Sequence, residues 1–147
     1  LFMKYSPHVH AQYQDTTNII EKNHKDLAQP FCNTVLPAAT FNFGPRTIAN
    51  RHYDETNLAQ GWCAITPFGD FDPDLGGHIV LKELKLVIRF PPGSMVLIPS
   101  AIIEHSNTPL SQGTRYLFVQ YGSGNLFRWV DHGLQLDKAY IDGLDNE

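Results

Sequence analysis

Apolar residues recur along the chain in two rhythms, and the change between them near Pro30 divides the sequence. Across residues 15–29, Ile19, Ile20 and Leu27 fall on one side of a 3.6-residue repeat, with Asp15 or Thr16 placed to cap the first turn and Pro30 to end it. The spacing predicts a short amphipathic helix. Beyond Pro30 the apolar runs become short and are cut by Gly, Pro and Asp, at residues 61–67, 78–81, 84–90, 95–98, 101–105 and 114–121. Strands of this length and spacing predict a mainly β fold, a jelly-roll sandwich or barrel, with one or two N-terminal helices packed on the sheet. Gly76-Gly77 and Pro91-Pro92-Gly93 are the expected hairpin turns. No internal repeat, low-complexity tract or linker interrupts the pattern, so residues 1–147 are expected to form a single domain.

Composition narrows this picture. With 42% apolar and 12% aromatic residues in 147, the chain can bury one sizeable core. It starts at Leu1, with Met3 behind a Phe, which suggests a processed or truncated piece of a longer product. No run approaches the roughly 18 apolar residues that span a bilayer, and the start lacks a signal-peptide pattern, so a soluble protein is expected. Cys32 and Cys63 have no zinc-type spacing and are too few for a disulfide framework. Free buried thiols, and hence an intracellular setting, are expected. The net charge of -4 excludes a general basic field for nucleic acid. A DNA substrate would need a local basic patch or segments beyond this chain.

The candidate chemistry lies in His52-Tyr53-Asp54, in His105 about fifty residues on, and in Arg115 ten residues after that. Two imidazoles and one carboxylate on one face of Fe(II), with the opposite face open, are the ligand set of non-haem iron oxygenases. In an extended segment the side chains of His52 and Asp54 share a face while Tyr53 points away. Arg115, one strand beyond His105, can clamp the far carboxylate of 2-oxoglutarate in a bidentate fork. Other groupings read as structure. His8-Val9-His10 lacks a third ligand and is assigned to the surface. Asp70-Phe71-Asp72-Pro73-Asp74 lacks the Gly and Glu of a calcium loop and reads as a solvated acidic turn. Phe127 and Trp129 are assigned to core packing.

One family carries these residues in this order. Phe41-Asn42-Phe43-Gly44-Pro45, His52-x-Asp54-x-x-Asn57, Phe90-Pro91-Pro92-Gly93-Ser94, Ile98-Pro99-Ser100, His105-Ser106-Asn107, Arg115, Gln120-Tyr121-Gly122 and Phe127-Arg128-Trp129-Val130 run through about two thirds of the chain. Together they resemble the Tet/JBP-type 2-oxoglutarate and Fe(II)-dependent dioxygenases, and more narrowly the expanded set of such domains in mushroom-forming fungi. The resemblance implies a double-stranded β-helix (jelly-roll) core, His52, Asp54 and His105 as iron ligands, and Arg115 as the 2-oxoglutarate clamp. It also implies that Asn57 bonds the target base and that Tyr121 stacks on that base once it is flipped out. The pattern departs at Ser123, where the family has a base-reading His.

The expected function is therefore hydroxylation of a C–H bond at the expense of O2 and 2-oxoglutarate, with a pyrimidine base such as 5-methylcytosine in DNA as the favoured substrate. A nuclear location follows from that substrate. No membrane association is expected, and the sequence identifies no particular protein partner. Two other readings remain open: the same chemistry on a protein side chain or small molecule, and a catalytically silent jelly-roll binding module.

Overall fold

Strand β2, Cys63–Phe68, lies between two layers of packing, and the rest of the chain is arranged around it. The computed structural model describes residues 1–27, 31 and 33–144. In chain order the elements are α1 (Phe2–Tyr5), α2 (Pro7–Asn23), β1 (Ala38–Asn42), β2, β3 (Ile79–Leu81), β4 (Leu86–Ile88), β5 (Val96–Ile98), β6 (His105–Asn107), β7 (Tyr116–Tyr121), α3 (Gly124–Asp131) and α4 (Asp137–Leu144). One sheet has the order β1-β7-β2-β5 and the other β4-β3-β6, with every pair antiparallel.

Period-two alternation explains the two layers. Cys63 and Ile65 of β2 turn toward the second sheet and join Ile79, Leu81, Phe90, Ile98, Ile103 and Leu117 in the core between the sheets. Ala64 turns the other way, beneath the helices, where it meets Phe2, Tyr13, Val35, Leu36 and Phe127. The mainly β expectation holds, and the N-terminal helices pack on the sheet. The two sheets share no paired strand among the described residues, so the barrel alternative is not formed.

Helix α2 is displaced from the helix expected over residues 15–29. It spans Pro7–Asn23 with Pro at its first position, so Asp15 and Thr16 lie within it and are not its caps. Ser6-Pro7 is the start signal. Its buried face is Tyr13, Thr16, Thr17 and Ile20, at helical spacing; two of these are polar, which hid the stripe from a hydrophobic reading. Thr17 donates to the Val35 carbonyl at 3.3 Å, satisfying its buried hydroxyl. The helix stops at Asn23, short of the expected Gln29; Gln29, Pro30 and Cys32 lie outside the described residues. No described helix is long and apolar enough to cross a membrane.

Neither expected hairpin joins paired strands. Gly76-Gly77 leads from β2 to β3 and Pro91-Pro92-Gly93 from β4 to β5, and each connection passes from one sheet to the other. The hairpin is β3–β4, closed by a turn in which Lys85 takes φ 53 and its N–H donates to the Lys82 carbonyl at 3.0 Å. The expected strand over 101–105 is instead a turn followed by β6, which begins at His105. β1, α3 and α4 were not anticipated. Phe127 of α3 is buried edge-on against Tyr13, with ring centres 4.7 Å apart, in keeping with its assignment to core packing.

Two core groups make stability sensitive to alkali. Burial pushes the Cys63 thiol from 9.0 up to about 12, helped by the nearby Asp54 charge, and burial pushes the Tyr13 phenol from 10.0 up to about 12. The folded state thus holds protons that the unfolded chain has already lost. This contribution is complete below about pH 9 and disappears as the pH rises toward 12. Urea unfolding at pH 8 and pH 11 should show a loss on the order of 3 kcal/mol, with a shallower decline in Cys63→Val.

Candidate metal centre

His52 and His105 face one another across an isolated antiparallel bridge. The N–H of His52 donates to the His105 carbonyl at 3.2 Å, and the N–H of His105 to the His52 carbonyl at 3.0 Å. Residues opposed in this way put their side chains on the same side of the ladder, and here the ring centres are 4.3 Å apart. Asp54, two residues on, falls on that side too, its N–H held by the Ser100 carbonyl at 3.0 Å. The sequence-predicted ligands His52, Asp54 and His105 thus converge, with one ligand atom from each lying within 4.8 Å of the others. Among the described residues no other group of three such side chains does so.

The imidazoles are prepared alike. His52 Nδ1 lies 2.7 Å from the Asn50 carbonyl and His105 Nδ1 lies 3.0 Å from the Ile103 carbonyl. A carbonyl only accepts, so each Nδ1 donates to it and Nε2 is the ring atom turned toward the shared point. Both Nε2 atoms face the same carboxylate, His52 at 3.5 Å from Asp54 Oδ1 and His105 at 3.9 Å from Oδ2. Two imidazole nitrogens and a carboxylate around one point fit a divalent transition ion. His105 is buried, Asp54 is partly buried and His52 is exposed, so the centre opens on the His52 side. An open groove lined by Phe43, Arg46, Ile48 and Asn50 ends at His52.

Asn57 touches the centre, while Tyr121 lies in β7 with contacts of its own, and neither setting was disclosed by the sequence. The Asn57 amide donates both hydrogens inward, to Asp54 Oδ2 at 3.3 Å and to the buried Ser100 hydroxyl at 3.2 Å. Its Oδ1 has no partner among the described residues. A backbone bridge sets Asn57 against Ser123, two residues beyond Tyr121. The Tyr121 ring packs against the core between the sheets, its hydroxyl 3.4 Å from Thr40 Oγ1. Ser100 and Thr47 escaped sequence reasoning because each acts through contacts with residues far along the chain.

Arg115 is 1% exposed. Its guanidinium donates from Nη1 to the Thr47 carbonyl at 3.1 Å, has the Phe71 ring centre at 6.0 Å, and leaves Nε buried without a partner. No described carboxylate pairs with it, so the surface ion pair that an exposed strand Arg would form is absent. Burial alone lowers its pKa to about 10. Its backbone is fixed by residues 45–47, with the Arg115 N–H donating to the Pro45 carbonyl at 2.7 Å and the Thr47 N–H to the Arg115 carbonyl at 3.1 Å. Gly77, at φ 72, leaves the space beside it: a Cβ there would stand 3.3 Å from Nε.

No protein-family model matches the chain, and no curated protein does. Among solved structures, NgTET1 in complex with 5mC DNA superposes with a TM-score of 0.55 at 15% identity, over 84% of this chain and 54% of that one. The fold is Tet-like. The chain spans about half the length of that structure, and at 15% identity the likeness speaks for the fold alone.

The remaining groupings behave as surface or support. His8 and His10 lie on α2, the first exposed and the second edge-on to Phe2 at 5.5 Å. In the acidic turn, Asp72 Oδ1 accepts from the Asp74 N–H at 2.9 Å and Asp74 pairs with Arg89.

Because Asn57 holds the Asp54 carboxylate, Asn57→Ala should weaken divalent metal binding roughly tenfold, and His105→Ala by more than that. Titration of the metal-free protein with Co(II), followed by its visible absorption, measures both. Unchanged affinity in Asn57→Ala would mean that its amide does not serve the ligand.

Proposed function

We propose that the protein is an Fe(II)- and 2-oxoglutarate-dependent dioxygenase of Tet/JBP type, built on a double-stranded β-helix core, that hydroxylates a C–H bond of a pyrimidine base such as 5-methylcytosine in DNA. The observation that carries this reading is Arg115. A guanidinium that is buried, lacks a carboxylate and keeps an unpartnered Nε is a costly arrangement for a fold alone. A dianionic cosubstrate accounts for it. The placement of the narrower fungal set rests on the sequence motifs.

The residues divide the work. His52, Asp54 and His105 would hold the iron through two Nε2 atoms and one carboxylate. When bound, iron supplies the redox chemistry that couples cleavage of 2-oxoglutarate by O2, to succinate and CO2, with insertion of the second oxygen atom into a C–H bond. Arg115 binds the far carboxylate of 2-oxoglutarate, and the burial that depresses its pKa also excludes competing water. Asn57 keeps Asp54 oriented through its amide hydrogens, and its Oδ1 is left to accept from the exocyclic amine of a cytosine. Tyr121 supplies the aromatic face on which a flipped base stacks. The groove past Arg46 has no acidic lining residue and offers the local approach that an acidic chain otherwise lacks. With DNA as substrate, the place of action is the nucleus.

Two observations favour the same chemistry on a protein side chain or small molecule. Tyr121 is engaged in the core through its ring and with Thr40 through its hydroxyl, and Ser123 stands where the family reads the base with His.

Anaerobic addition of Fe(II) and 2-oxoglutarate to the folded protein should produce the weak visible charge-transfer band of the chelate. His105→Ala should abolish the band, and Arg115→Ala should need at least about tenfold more 2-oxoglutarate, the loss of a charge-assisted bidentate contact. No band in folded wild-type protein would leave the binding-module reading in its place. With the band in hand, succinate release and mass gain on 5-methylcytosine DNA against a peptide pool separate the two substrate classes.

A further inference from the structure

Tyr53 lies between two of the candidate ligands, and Glu104 immediately precedes the third. Both are tied to one carboxylate from elsewhere in the fold. The Tyr53 hydroxyl donates to Glu83 Oε1 at 2.7 Å, and the Glu104 N–H donates to Glu83 Oε2 at 2.8 Å. Glu83 belongs to the β3–β4 turn, whose first residue extends the ladder with β6 through a Lys82 N–H to Glu104 carbonyl bond of 3.0 Å. The Lys82 ammonium also pairs with the Glu104 carboxylate.

We propose that Glu83 is a positioning residue for the metal centre, a carboxylate clasp that locks the His52-Tyr53-Asp54 segment to the His105 strand from the face opposite the ligands. This rests on the reading of His52, Asp54 and His105 as a metal site. Its basis is geometric. Side chains alternate along an extended segment, so the hydroxyl that reaches Glu83 leaves on the opposite side from His52 and Asp54. Fixing Tyr53 therefore fixes the direction in which its two neighbours point. Fixing the Glu104 N–H sets the entry of β6, where His105 begins. One carboxylate with two acceptor oxygens is needed, because both partners donate. The backbone bridge between His52 and His105 sets the spacing of the two segments, and Glu83 adds a second point of attachment that resists twisting about that bridge.

Partners that touch metal ligands directly are typically worth about 10–100-fold in affinity. Glu83 acts one residue removed and is exposed, where water competes for its oxygens. Its removal should therefore weaken Co(II) binding by roughly fivefold to tenfold, below that range. Tyr53→Phe keeps the ring, loses only the hydroxyl bond, and should give a smaller loss of the same sign.

The test titrates Co(II) into wild type, Glu83→Ala, Tyr53→Phe and the double variant, with melting of each metal-free protein measured alongside. Arg89→Ala, which cuts an exposed ion pair beyond the other end of β4, is the control. The expected result is weaker binding in both single variants, a double variant no worse than Glu83→Ala, wild-type affinity in Arg89→Ala, and metal-free melting temperatures unchanged. Wild-type affinity in Glu83→Ala, or additive losses in the double variant, would overturn the proposal. Amide hydrogen exchange in the metal-free proteins separates the clasp from the metal reading: Glu83→Ala should speed exchange in both the 50–57 and 103–107 segments. If wild type binds no Co(II) yet both segments loosen, the metal reading fails and the clasp stands as a structural device. If neither segment loosens, the clasp is wrong whatever the metal result.

Discussion

The site depends on one pair of backbone hydrogen bonds, those exchanged between His52 and His105. They join segments about fifty residues apart and set their register. Because a one-residue slip reverses every side chain in a strand, a slip of that kind would move His52 and Asp54 to the side opposite His105. The rest of the architecture protects that pairing. β3 pairs with β6 and carries it into the second sheet, while Ile103, two residues before β6, joins residues of β2 and β7 in the core between the sheets.

Around this pairing the polar groups are supplied with partners that leave their useful atoms free. Each ring spends Nδ1 on a carbonyl two residues earlier, and Asn57 spends its amide hydrogens on Asp54 and Ser100. Arg115 differs from these. Its described neighbours are the Thr47 carbonyl and the Phe71 ring, no described carboxylate pairs with it, and its buried Nε has no partner. Charge buried without compensation is expensive, and the rest of the fold bears that cost.

The convergence of His52, Asp54 and His105 was partly legible in the sequence, because residue type and period-two spacing place His52 and Asp54 on one face. The strand interiors were legible as well, since Ile65, Ile79, Ile98 and Leu117 are apolar where the core requires it. Sheet membership was not. Gly76-Gly77 and Pro91-Pro92-Gly93 announce that the chain turns, but nothing local says which sheet the next strand will join. The start of α2 was obscured because Thr16 and Thr17 fill half its buried face. The bonds from Asn57 to Ser100 and from Glu83 to Tyr53 and Glu104 link positions 43, 30 and 21 residues apart, and no window of sequence brings them together.

Gly77 shows how narrowly such a site is bounded in the space of possible sequences. It contributes no side chain, and its left-handed backbone disfavours one, while a Cβ would stand 3.1 Å from the Phe71 ring and 3.3 Å from Arg115 Nε, so both would have to shift. A single methyl group would both strain the turn and press on the guanidinium, while every ligand and every core residue stayed in place. The setting of a buried charge therefore depends on one backbone position, which an inventory of reactive side chains would pass over.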